Sequence, residues 1–119
     1  MIENERLSEN EKRWLDAMLS VDFKEKEQLI QQINAANIVR EYTRHFISIK
    51  FIIPVSIPAI KMTERVPVEM RVYDGDNAPE QFLLHIIHGY VCELEIFRAD
   101  SSEINSNIKL EHIEVILTE

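Results

Sequence analysis

The sequence predicts an α+β fold in which two N-terminal helices pack on an antiparallel sheet of about five or six strands. Apolar residues recur at helical spacing through the first third of the chain. From Ile38 onward the period falls to two, and Pro54, Pro58, Gly75 and Gly89 punctuate the alternating blocks at turn-like intervals. With 119 residues, 45% hydrophobic and 29% charged, the chain has ordinary globular composition and the length of one domain spanning 1–119.

The first helix is expected from about Glu9 to Ser20. Ser8-Glu9-Asn10-Glu11 matches a capping box, with the Ser8 hydroxyl accepting from the Glu11 amide and the Glu11 carboxylate reaching back to the Ser8 amide. Trp14, Leu15, Met18 and Leu19 form its apolar stripe. Asp22, with Glu25 three residues on, is the expected cap of a second helix. Its Leu29, Ile30 and Ile33 face inward while Lys24, Glu27 and Gln31 stay in water, and Asn34 to Asn37 marks its end.

Phe46 to Ile53 then alternates as a half-buried strand. Pro54 and Pro58 end it, and the stretch to Arg65 reads as loop, because each proline removes a ladder donor and biases its predecessor away from helix. Val66, Val68, Met70 and Val72 alternate with Pro67, Glu69, Arg71 and Tyr73, a strand whose early proline marks an edge or a strand start. Asp74-Gly75-Asp76-Asn77 is a turn. Phe82 to Ile87 and Tyr90 to Phe97 flank His88-Gly89, a two-residue hairpin loop. Strict alternation away from that loop pairs Ile87 with Tyr90, His85 with Cys92 and Leu83 with Leu94 on an apolar face. It gathers Phe82, Leu84, Ile86 and Val91 with Glu93 and Glu95 on the other. Leu110 to Leu117 adds a final strand.

Charge and composition exclude several functions. The 21 Asp and Glu against 13 Lys and Arg leave a formal charge of −8. That balance disfavours nucleic acid and anionic membrane as partners and favours a basic protein. The polar N-terminus, Met1 to Ser8, has no basic region followed by an apolar one, so a cytoplasmic location is expected. The densest apolar stretch, Phe46 to Ile60, is broken by Lys50, Pro54 and Pro58, short of the ~20 residues that span a bilayer. A single cysteine, Cys92, forms neither an internal disulfide nor a multi-cysteine zinc site. Two glycines cannot build a phosphate loop or a dinucleotide fingerprint.

The remaining candidate sites are weak as chemistry. Asp74, Asp76 and Glu80 lack EF-hand spacing and read as a solvated turn. His85 and His88, three apart on a strand, point to opposite faces and make no metal pair; His85 reads as a core histidine beside Cys92, and His88 as a turn residue. Cys92 and His85 resemble a nucleophile and base, but both would face the core without oxyanion donors. Glu93 and Glu95 lie about 7 Å apart on one strand face, a spacing open to acid/base work, yet a broad sheet surface does not exclude water. No catalytic residue, cofactor or metal is expected. The mixed face of Phe82, Leu84, Ile86, Val91, Glu93 and Glu95 is the expected partner-binding surface if no other segment covers it.

The run Leu83 to Asp100, L-L-H-I-I-H-G-Y-V-C-E-L-E-I-F-R-A-D, resembles the closing hairpin of a group of small, mostly uncharacterised bacterial proteins, and the order of helices and strands matches as well. Some proteins of this type are immunity proteins of polymorphic or contact-dependent toxin systems. The resemblance therefore implies a non-catalytic protein that occludes a basic toxin domain, such as a nuclease. The competing expectation is a structural or regulatory subunit acting through homodimerisation or docking on a complex.

Overall fold

Ser8 starts the first helix in the computed structural model, which describes residues 6–118. The N-terminal stretch from which no secretory leader is read lies largely outside those residues. Both halves of the expected capping box form: Ser8 Oγ accepts from the Glu11 amide at 3.1 Å, and Glu11 Oε1 accepts from the Ser8 amide at 2.8 Å. Helix α1 runs Glu9–Met18 and buries Trp14, Leu15 and Met18. Helix α2, Lys26–Ala35, starts later than expected. Asp22 does not cap it; Glu25 occupies the N-cap without a side-chain bond, and Asp22 pairs instead with Lys26 at 3.4 Å.

Six strands follow: β1 Asn37–Tyr42, β2 Phe46–Ile52, β3 Val68–Val72, β4 Glu80–Ile87, β5 Tyr90–Arg98 and β6 Ile113–Leu117. They form one antiparallel sheet in the order β1-β2-β5-β4-β3-β6. The architecture is α+β, with two helices and six antiparallel strands. Strand β1 begins where a frayed helix end was expected. Strand β3 is internal, and Pro67 precedes it, so the proline marks a start and not an edge.

One face of the sheet supplies the core. Ile38, Ile47, Ile49, Phe51, Val68, Met70, Val72, Phe82, Leu84, Ile86, Val91, Leu94 and Ile96 join Trp14, Met18, Leu29 and Ile33 of the helices in a single buried cluster. Trp14 meets Phe82 edge-on with ring centroids 5.7 Å apart. The loop between β2 and β3 adds Ile60, and the loop before β6 adds Ile108.

A buried glutamine bolts α2 to the β4–β5 turn. Gln32 Nε2 donates to the carbonyls of Pro58 and Gly89, each at 3.1 Å, and its Oε1 accepts from the Val91 amide at 2.9 Å. The turn is the two-residue loop expected, with His88 at φ 52° and Gly89 at φ 80°, the left-handed pair of a type I′ hairpin. Ile60 N donates to Gly89 O at 2.8 Å, and a Cβ at position 89 would collide with the Ile60 carbonyl.

Candidate interaction face

The β4–β5 register decides which residues meet solvent. Ile87 pairs with Tyr90 and Ile86 with Val91, as strict alternation from the turn requires. The next pair is His85 with Glu93, so Cys92 is an extra residue on β5 and the hairpin carries a bulge. Beyond it Leu84 pairs with Leu94, Leu83 with Glu95 and Phe82 with Ile96.

That one residue overturns the expected mixed face. Phe82 and Leu84 are fully buried, and Ile86 and Val91 are 3% and 1% exposed, so none of these four is available to a partner. Glu93 and Glu95 lie on the opposite, solvent-facing side. The expected pairing of His85 with Cys92 fails for the same reason. His85 sits on the solvent-facing side and its Nε2 lies 3.0 Å from Glu95 Oε1, while half-buried Cys92 Sγ accepts from Arg65 Nη1 at 3.8 Å. Glu80 does not belong to a solvated turn either. It opens β4, is 1% exposed, and accepts from Arg98 Nη2 at 3.0 Å and the Asn105 amide at 2.8 Å.

The register lays out the solvent-facing side row by row. Glu93 and Glu95 occupy its centre, opposite Lys50 and Ser48 of β2, and the Ser48 hydroxyl donates to Glu93. Val39 and Glu41 extend these rows across β1, and Glu69 lies beyond Leu83 on β3. Phe46 and Phe97, direct register partners, bound the centre at one end. Ile52 and Ile87 bound it at the other, 54% and 41% exposed. Arg71 is engaged by Glu69 at 3.7 Å and Glu114 at 3.6 Å. Among the strand residues of this side, Glu41, Glu69, Glu93, Glu95 and Glu114 outnumber Lys50 and Arg71. The result is an acidic band between apolar margins.

Two buried carboxylates on the core side serve structure. Glu11, fully buried, accepts from Arg40 Nε and Nη2 at 2.9 and 2.8 Å and from the Tyr42 hydroxyl at 2.8 Å. Burial pushes its pKa up, but the Arg40, Ser8 and Tyr42 bonds outweigh that and hold the carboxyl below its ordinary value. Burial and the neighbouring Glu11 charge raise the Tyr42 hydroxyl. At Glu80 the balance reverses: burial dominates, and the Asn105 and Arg98 contacts do not offset it, so the pKa is raised.

Sequence reasoning missed Phe46, Ile52, Leu83, Ile87 and Phe97 as solvent-facing partners of the two glutamates. The β2 alternation already separated Phe46 and Ile52 from Ile47 and Ile49, but the side on which they meet Glu93 follows only from a bulge.

The fold and face together define a small α+β protein with a one-sided core and an acidic, partly apolar sheet surface. Residues 4–109 match a domain of unknown function, DUF6984, and the chain belongs to that family. No curated protein and no solved structure matches it. No helix among the described residues is long and apolar enough to cross a membrane.

Proposed function

We propose that this protein is a non-catalytic binding module that holds a basic protein partner on the solvent-facing side of its sheet. Its most concrete form is a cytoplasmic immunity protein occluding a toxin domain such as a nuclease. The observation that carries the reading is the acidic band of Glu41, Glu93, Glu95 and Glu69 set between Phe46 and Phe97 on one margin and Ile52 and Ile87 on the other. Carboxylates of one sign steer a cationic groove into place, and the apolar margins slow its release. In this reading α1 and α2 both lie on the core side and act as the rigid back of the sheet. The partner to test is a basic toxin domain encoded beside this protein's gene, titrated by calorimetry at two salt concentrations. Glu93→Lys/Glu95→Lys is expected to weaken binding at least about 100-fold and to flatten its salt dependence. Unchanged affinity in that folded double variant overturns the reading.

A further inference from the structure

Among the described residues β6 is the terminal strand of the sheet, and we infer that its outer, largely apolar edge pairs with β6 of a second copy of the chain across a two-fold axis at Val115. Its backbone polarity is set by the bonds at its two ends. Tyr73 N donates to His112 O and Thr118 N to Pro67 O, 2.9 Å each. In an antiparallel ladder successive residues turn their N–H and C=O groups to opposite sides. The even-numbered residues of β6 therefore face β3, and Ile113, Val115 and Leu117 direct their backbone groups away from the sheet.

Those three residues are self-complementary. About a two-fold axis at Val115, Val115 meets its own copy and Ile113 meets Leu117 in each direction, and each of these pairs exchanges two hydrogen bonds. Their side chains share the core face, since they pair with Val72, Met70 and Val68. Ile113 is 38% exposed, and Val115 and Leu117 are half-buried, so apolar surface remains for the copy to cover. On the other face Glu114 falls opposite Ile116 of the copy, so within the strand Ile113–Leu117 no like charges oppose each other directly. Natural edges are commonly blunted by charge or proline; β1, at the other end of the sheet, carries Arg40 and Glu41, whereas β6 carries Glu114 alone. The family match ends at residue 109, so β6 lies outside the matched segment. Antiparallel pairing about this axis keeps both solvent-facing sides on the same side of a continuous twelve-strand sheet, twice the six of one copy.

Sedimentation equilibrium of the full chain over about 5–500 μM tests the inference, because so small a contact yields affinity at the micromolar end. The expected result is a mass rising from 14.0 kDa toward twice that value. Val115→Pro is expected to remain monomeric throughout while keeping the wild-type circular dichroism, since proline removes an N–H that β3 does not use, with the melting temperature lowered only by the lost contacts of the valine side chain. Val115→Lys, which places like charges at the axis, is also expected to remain monomeric, with a lower melting temperature because Val115 packs against the core. A wild-type chain that stays at 14.0 kDa across the range overturns the inference, as does a folded Val115→Pro or Val115→Lys variant that dimerises like wild type. Either failure leaves the reading of the acidic band intact, because Glu41, Glu69, Glu93 and Glu95 lie on β1, β3 and β5, whereas the test substitutes only Val115 of β6.

Discussion

Glu11 serves at once as the N3 residue of a capping box, the partner of Arg40 and the acceptor of the Tyr42 hydroxyl. It ties α1 to β1, elements whose sequences show no sign of each other. Glu11→Gln keeps the shape but leaves Arg40 facing a neutral amide, at a cost of about 2–3 kcal/mol near neutral pH. The pH dependence follows from the lowered carboxyl. Its contribution is present above the unfolded glutamate value of about 4.3 and is lost as pH falls through the still lower folded value. Glu80 acts in the opposite sense: its raised pKa contributes stability in acid that is lost as pH rises through the folded value. Urea melts of wild type and Glu11→Gln from pH 3 to pH 7 are expected to converge toward the acid end; a constant gap refutes the assignment. Gln32 shows why such residues escape a sequence reading. A glutamine on a helix reads as wet, and its partners lie 26, 57 and 59 positions away.

At the level of elements, local chemistry was readable and long-range counting was not. The capping box and the Trp14, Leu15, Met18 stripe define α1 within a few residues, and His88-Gly89 forms the loop its composition demands. Asp22 has the right chemistry for a cap, yet the chain turns before Lys26 and the side chain is left to an ion pair. Strand β1 went unrecognised because Asn37, Arg40 and Glu41 dilute its alternation. The bulge is the instructive case: a hairpin pattern assigns faces by parity, and an extra residue inverts every assignment beyond it. Cys92 is that residue, so deleting it leaves Val91, Glu93 and Leu94 on the faces they now occupy and yields a regular hairpin. The Cys92 deletion is expected to fold with a loss of about 1–2 kcal/mol, whereas deleting Leu94 is expected to prevent folding. Denaturant melts of the two deletions distinguish them.

The whole molecule measures 44 × 39 × 22 Å, and the short dimension fits one sheet with one layer of helices and loops. Such a one-sided core makes the two faces respond differently to mutation. Leu84→Ala, in the core, is expected to cost about 3–4 kcal/mol. Glu93→Lys/Glu95→Lys is expected to stay within about 1 kcal/mol of wild type, because both carboxylates are only half-buried. Thermal denaturation checks both, and comparable losses would refute the one-sided core. The strand order also has a kinetic consequence. Strands β3, β4 and β5 pair in chain order, but β2 pairs on one side with β5, which ends at Arg98, 46 residues after Ile52, and β3 pairs on one side with β6, which ends at Leu117, 45 residues after Val72. On a ribosome adding about 5–20 residues per second, the β2 edge with Ile47, Ile49 and Phe51 waits roughly 2–9 s for its neighbour to emerge. During that interval the β1–β2 hairpin presents an unpaired apolar edge that a chaperone bound to the nascent chain would shield.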